Sequence, residues 1–136
     1  MSEEKTGAAV DSLRTVEMFA GLDDGVLGQI VDRATEFEVP AGHVLIQPHM
    51  EASGMFILEE GTVLVEGPGL HLERGAGECF GELALLSEHG HRSARVQAKT
   101  PVRGLAIARD DFWELLEAEP RLALSLLRVV GDRLAE

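Results

Sequence analysis

The sequence is poor in cysteine, aromatic residues and positive charge, and the shortages of cysteine and of positive charge each argue against a class of protein. The 136 residues include one cysteine and no tyrosine, and aromatic residues make up 4% of the chain. A single cysteine cannot form an internal disulfide, so the fold depends on packing, and a reducing cytoplasm is the expected location. Lysine and arginine total 12 against 24 aspartates and glutamates, a formal net charge of −12. This acidity argues against binding to nucleic acid or to an anionic membrane surface.

Long hydrophobic runs are also missing. The longest stretch without Asp, Glu, Lys or Arg covers residues 39–50 and contains two prolines, so it is too short for a transmembrane helix. The first residues lack the basic start and apolar run of a secretory signal. With 45% hydrophobic and 26% charged residues, the composition is that of one globular domain. We expect a flexible tail over residues 1–10 and one domain over residues 11–136.

The middle of the chain alternates short apolar runs with glycine-bearing turns, which predicts β-strands. Gly67-Pro68-Gly69 is typical of a tight hairpin turn. Several short strands at this spacing favour an antiparallel jelly-roll or β-sandwich barrel over alternating βαβ units. The strands are predicted near residues 36–40, 43–47, 54–59, 61–66, 70–73, 79–80, 94–98 and 102–108.

Helices are predicted on both sides of this β region, so the fold class is α+β, mainly β, with flanking N- and C-terminal helices. Asp23 or Asp24 is expected to cap an N-terminal helix that presents one narrow apolar stripe. At the other end, Asp111 with Glu114 resembles a capping box, and Pro120 suits a first helical position. Phe112 and Trp113 are expected to pack these C-terminal helices.

The last helix, predicted over residues 120–136, is apolar over an arc of about 220°. A helix that packs through a single contact face needs a narrower apolar arc than this. We therefore expect one side of the helix to meet the β core and another side to meet a second copy of the chain or a partner protein.

The segment from Glu78 to Ala94 carries the chemistry. Gly81 permits a sharp turn after a short strand, and Glu82 starts a single turn of good helix formers whose free N–H groups favour an anion. Arg92 follows a short loop and can offer a guanidinium fork to phosphate. Glu82 would repel the phosphate itself, so its carboxylate suits a neighbouring hydroxyl, such as a ribose 2′-OH, or holds the arginine in place.

This segment resembles the phosphate-binding cassette of cyclic nucleotide-binding domains, with the catabolite activator family of bacterial regulators as the nearest look-alike. The resemblance rests on Phe80-Gly81-Glu82-Leu83-Ala84-Leu85-Leu86 followed, at the family's spacing, by Arg92-Ser93-Ala94. Flanking stretches such as Phe19-Ala20-Gly21-Leu22 and Glu60-Gly61-Thr62-Val63 agree in order and position. The match covers roughly residues 13–136.

The resemblance implies a regulatory domain for signal transduction that binds a cyclic nucleotide, cAMP before cGMP, and needs no metal or further cofactor. Arg92 would pair with a phosphate oxygen, Ser93 would add a hydroxyl, and Glu82 would bind the ribose. The implied phosphate and ribose contacts are Gly81, Glu82, Leu83, Ala84, Arg92, Ser93 and Ala94. The implied base pocket is Val63, Val65, Leu70 and Leu72. The ligand would act by population shift, moving the C-terminal helices toward a partner.

Two alternatives remain open. The first is a protein-interaction module that keeps the fold but has a vestigial pocket. The second is a metal-dependent jelly-roll enzyme, because the chain contains five histidines: His43, His49, His71, His89 and His91. His89 and His91 fall in the cassette loop rather than on paired strands, which disfavours a metal site. The sequence offers no nucleophile–base pair, so we do not expect an enzyme, and Cys79 is expected to be a small buried hydrophobe.

Overall fold

The computed structural model describes residues 10–47, 54–80 and 94–135. A helical turn at residues 10–14 and a 3-10 turn at Glu17–Phe19 lead into helix α1. The three longer helices of the described residues are α1 (Asp24–Arg33), α2 (Arg109–Ala118) and α3 (Pro120–Ala135). The strands are β1 (Thr35–Val39), β2 (Val44–Ile46), β3 (Gly54–Glu60), β4 (Val63–Gly67), β5 (Leu70–Arg74), β6 (Cys79–Phe80), β7 (Arg95–Ala98) and β8 (Val102–Ala108).

The strands form two antiparallel sheets, which confirms the sandwich architecture, although the sheets do not close into a barrel. Sheet 1 has the order β1-β8-β3-β6, and sheet 2 has the order β2-β7-β4-β5. The tight turn was predicted correctly, because Gly67 pairs with Leu70 and Gly69 has a φ of 69°. All eight predicted strands are present within a few residues of their expected bounds.

Sheet 1 is covered on both faces. Met55 and Ile57 point toward the helices, while the intervening Phe56 and the following Leu58 point toward sheet 2. This alternation follows from the two-residue period of a strand. The molecule therefore has two apolar cores, one between the helices and sheet 1 and one between the sheets.

The helix ends show one correct and one wrong prediction. Asp23 caps α1, because its carboxylate accepts a hydrogen bond from the Val26 N–H at 3.0 Å. The capping box at Asp111 was wrong, since α2 already begins at Arg109 after an Ala108 that makes no side-chain cap bond. Pro120 is the first residue of α3, as predicted.

The aromatic residues of α2 differ in their surroundings. Phe112 is buried in the helical core, as expected. Trp113 is 37% exposed and therefore lies outside the core. In the described part of the chain, no helix is long and apolar enough to cross a membrane.

Candidate functional site

Most of the predicted phosphate cassette lies outside the described residues. This applies to Gly81, Glu82, Leu83, Ala84, Arg92 and Ser93, so their roles stay predictions. Ala94 and the strands on both flanks are described. These flanks define where the cassette begins and ends.

The first flank is β6, the edge strand of sheet 1. Phe80 pairs with Phe56, and the two rings stack with centroids 5.3 Å apart. Just before it, the Leu58 N–H donates to the Glu78 carbonyl at 2.9 Å, and the Gly77 N–H donates to the Leu58 carbonyl at 2.9 Å. Cys79 is buried on the opposite side of the strand from Phe80, in the helical core. The residue before Gly81 is thus fixed by both pairing and packing.

The second flank belongs to sheet 2. Arg95, at the start of β7, pairs with Glu66, and Val96 pairs with Val65. The Arg95 guanidinium also lies 3.5 Å from the Glu66 carboxylate. Ala94 therefore lies beside the end of β4. In sequence, the predicted cassette lies between the edge strand of sheet 1 and a central strand of sheet 2.

The predicted base pocket maps to the β4–β5 hairpin. Val65 and Leu72 are directly opposite each other, and both are half-buried. Directly opposite residues of an antiparallel pair share a face, so these two side chains form one apolar surface. Val63 lies on the same face but is fully buried between the sheets, where it packs. The backbone of Leu70 belongs to β5, and its side chain lies outside the described residues.

Arg74 extends the same face and was missed by the sequence analysis. It pairs with Val63, two residues beyond Leu72, and its side chain is 27% exposed. Its guanidinium lies 3.6 Å from the Glu78 carboxylate, which also accepts a 2.6 Å hydrogen bond from the Gly75 N–H. The alternation of β5 is the signal that points to Arg74, because it continues the period of Leu70 and Leu72.

The predicted two-sided character of the last helix is visible in α3. Leu122 and Leu126 are buried in the helical core, whereas Leu124 and Leu127 are 63% and 66% exposed. The Ser125 hydroxyl donates to the Met18 carbonyl, which ties the middle of α3 to the 3-10 turn. One side of α3 is anchored, and the other presents leucines to solvent.

A separate cavity of about 340 Å³ is lined by Glu38, Pro40, Glu60, Pro101 and Arg103. Arg103 dominates its electrostatics. The guanidinium lies 3.0 Å from the Glu60 carboxylate and 3.2 Å from that of Glu59. Its hydrogen bond to Glu60, with the attraction between the two charges, lowers the pKa of that carboxyl. The Arg103 guanidinium in this cavity is thus already paired with carboxylates of the protein.

The described histidines, His43 and His71, do not join a metal-binding group. Within residues 10–47, 54–80 and 94–135, no cluster of three His, Cys, Asp or Glu residues is placed to hold an ion. The remaining histidines, His49, His89 and His91, lie outside these ranges.

Comparisons with known proteins agree with the fold. Residues 36–119 match the family model described as the cyclic nucleotide-binding domain. The chain is 36% identical over 118 residues to a cyclic nucleotide-gated potassium channel of Rhizobium etli, covering 87% of this chain and 33% of the channel. It is 34% identical over 109 residues to the cAMP-dependent protein kinase regulatory subunit of Aspergillus fumigatus, covering 76% of this chain and 26% of that subunit.

A solved structure is also similar. The regulatory subunit of a cAMP-independent protein kinase A from Trypanosoma brucei aligns with a TM-score of 0.82 and 27% identity. The alignment covers 94% of this chain and 48% of that one. The chain thus spans a third or less of the two curated relatives and about half of this structure.

Proposed function

The chain belongs to the cyclic nucleotide-binding domain family, and from that premise we propose that it binds a cyclic nucleotide reversibly, cAMP in preference to cGMP, as a regulatory domain. The observation that carries the proposal is the family match, because residues 36–119 include the whole predicted cassette. The flanks support it, since the cassette leaves β6 and rejoins β7 next to the apolar Val65–Leu72 surface. A cyclic nucleotide carries a phosphate and a base in one small molecule, so its site needs the phosphate cassette and an apolar surface close together.

The residues take the following roles in this proposal. Backbone N–H groups from Gly81 to Ala84 hold the phosphate at the start of a helical turn. Arg92 forms the charged pair with a phosphate oxygen, Ser93 and Ala94 complete that side, and Glu82 accepts hydrogen bonds from the ribose. The base lies against Val65 and Leu72. This binding needs no metal and no further cofactor.

The proposed output is a population shift of the C-terminal helices. A ligand changes the balance of two arrangements only through its different affinity for each. The exposed Leu124 and Leu127 surface of α3 is where a second copy of the chain or a partner protein would detect the change. We place this activity in a bacterial cytoplasm, with no role in nucleic-acid or membrane binding and no catalysis.

Isothermal titration with cAMP and cGMP tests the assignment, using Arg92→Ala as the diagnostic variant. Removing one partner of a buried charge pair costs about 2–5 kcal/mol, so we expect at least a tenfold loss of cAMP affinity. Arg95→Ala is the matched control. Arg95 is a nearby arginine whose side chain is 43% exposed and paired with Glu66, and its removal should leave affinity within about threefold. Equal affinity in native protein and Arg92→Ala would refute the assignment.

A second candidate is an interaction module that does not respond to cAMP. The similarity to the regulatory subunit of a protein kinase A that is described as cAMP-independent favours it. The two functions share the fold and differ only in the pocket. If folded, nucleotide-free protein gives no heat with cAMP or cGMP, the interaction module becomes the better description. Saturable binding of either nucleotide excludes it.

A further inference from the structure

We propose that the ion pair between Arg74 and Glu78 recognises the edge of an adenine base and so sets the preference for cAMP over cGMP. The inference rests on the proposed function, because it assumes a base against Val65 and Leu72. Neither Arg74 nor Glu78 belongs to the predicted cassette. Their role follows from their place beside the apolar surface and from the hydrogen-bonding groups that they leave open.

The first step is the position of Arg74 beside the proposed base surface. Arg74 pairs with Val63 and Leu72 pairs with Val65, so the four side chains share one face of the β4–β5 hairpin. Residues two apart on a strand are separated by about 7 Å along its axis. An arginine side chain is long enough to cover that distance. A base that lies on Val65 and Leu72 is therefore within reach of the Arg74 guanidinium.

The second step is the set of donors that Arg74 leaves unused. Its side chain is 27% exposed, the lowest value among the lysine and arginines that form ion pairs in the described residues. Its guanidinium lies 3.6 Å from the Glu78 carboxylate but donates no hydrogen bond within the described part of the chain. A guanidinium has five N–H donors, and in a largely buried side chain such donors usually have a partner. An acceptor on a bound ligand would satisfy them.

The third step is the fixed acceptor next to those donors. Oε2 of Glu78 accepts a 2.6 Å hydrogen bond from the Gly75 N–H, and Oε1 is the oxygen nearest to Arg74. The backbone of Glu78 is held as well, because its carbonyl accepts from the Leu58 N–H at 2.9 Å. A carboxylate offers about four lone pairs, so Glu78 can accept a further hydrogen bond. The end of β5 thus presents a donor group and an acceptor group side by side.

The fourth step is the match between this pair and the purine bases. Adenine has an acceptor, N7, next to a donor, the N6 amino group, whereas guanine has two acceptors, N7 and O6. When Arg74 donates to N7, Glu78 can accept from the amino group of adenine, but it lies against the O6 atom of guanine. Two acceptors with no hydrogen between them repel each other and have both lost their bonds to water. The pair therefore favours adenine.

Isothermal titration of native protein with three cyclic nucleotides tests the pair without any substitution. We expect cAMP to bind about tenfold more tightly than cGMP, and about tenfold more tightly than 7-deaza-cAMP, which has a carbon in place of N7. Native protein that binds 7-deaza-cAMP or cGMP as tightly as cAMP, or more tightly, overturns the inference. Tighter binding of cGMP would mean that Arg74 donates to both acceptors of guanine.

Two variants assign these effects to the residues. In Arg74→Met, which keeps an apolar stem, cAMP and 7-deaza-cAMP should bind equally. In Glu78→Gln, whose amide can donate to O6 as well as accept from an amino group, the preference for cAMP over cGMP should fall about tenfold. Glu66→Gln is the matched control. Glu66 and Arg95 also form an ion pair, 3.5 Å apart, but Glu66 follows Val65 and so lies on the opposite face of β4, and the preference should not change.

The outcomes separate this inference from the proposed function. Native protein that binds neither cAMP nor cGMP overturns the proposed function and the inference with it. Native protein that binds cAMP, together with a Glu78→Gln variant that keeps the full preference for cAMP, overturns the inference alone. Thermal unfolding shows whether each variant is folded, and the comparison of nucleotides in native protein decides the question where one is not.

Discussion

At the scale of single residues, Arg103 pairs with acidic side chains of sheet 1 that differ in burial. It pairs with Glu59 and Glu60 and is also attracted to Glu36. The Glu59 side chain is only 6% exposed, whereas that of Glu60 is 68% exposed. Loss of the Arg103 cation should therefore cost more stability at Glu59 than at Glu60. A buried carboxylate without its partner is costly.

Arg103→Met should therefore destabilise the protein. We expect a loss of about 1–2 kcal/mol in the free energy of unfolding, less than for a fully buried pair because 40% of the Arg103 side chain is in water. Lys99→Met is the control, since both Lys99 and its partner Glu73 are about half exposed, and it should cost less than about 0.5 kcal/mol. Urea unfolding measures both values, and equal losses would contradict the argument.

The same arginine makes stability depend on acid in a defined direction. Arg103 lowers the pKa of Glu60 below its ordinary value of 4.5. The resulting stabilisation is complete above the ordinary pKa and is lost as the pH falls through the lower, folded pKa. Native protein should therefore lose more unfolding free energy between pH 5 and pH 3 than Arg103→Met does. Urea unfolding at the two pH values checks this, and parallel losses would show that the pair contributes nothing.

At the scale of elements, local patterns predicted the strands well because turns separate them. The Gly67-Pro68-Gly69 turn and the apolar runs around it fixed the β4–β5 hairpin. The start of α2 was predicted wrongly because its acidic residues act at long range. Asp111 and Glu114 both pair with Arg33 of α1, a partner that no local pattern reveals.

The candidate site was predictable only in part. Family resemblance identified the residues of the cassette, and they stay predictions. The pairing of Val65 with Leu72 became certain only with the strand register, which a sequence does not fix. Arg74 was missed because a charged residue at the end of a strand is usually a solvated one, and only the structure pairs it with Glu78.

Two glycines show how differently the elements tolerate a methyl group. In Gly104→Ala the new Cβ would lie 2.1 Å from the Ile57 carbonyl oxygen, so β8 and β3 must separate. We expect a loss of about 3 kcal/mol or more. In Gly28→Ala the methyl group meets nothing within 4 Å, and α1 should gain about 0.5–1 kcal/mol. Thermal unfolding measures both, and a stable Gly104→Ala would refute the predicted clash between β8 and β3.

At the scale of the whole molecule, the fold has three layers, and sheet 1 is the middle one. Helices cover one face of sheet 1 and sheet 2 covers the other, so sheet 1 belongs to both cores. The helices contact sheet 1, while the proposed ligand surface lies in sheet 2. A signal between them must pass around or through sheet 1.

The exposed leucines of α3 predict self-association of the whole chain. We expect native protein to form a dimer across the micromolar range in sedimentation velocity, because exposed leucines gain by leaving water. The variant Leu124→Gln/Leu127→Gln should sediment as a monomer of about 14.7 kDa and keep its cAMP affinity. Trp113→Gln, an exposed apolar position on α2, should still dimerise. Native protein that stays monomeric would leave a different partner protein as the proposed occupant.

The exposure of Trp113 makes the chain its own optical probe. It is the one tryptophan, and there is no tyrosine, so light at wavelengths that phenylalanine does not absorb excites a single indole, on α2. That ring is 37% exposed, and the wavelength of its emission depends on how much water surrounds it. Any shift in emission therefore reports on the surroundings of α2 alone. The unlabelled protein can therefore show whether the surroundings of the helical layer change, because the sheets contain no tryptophan.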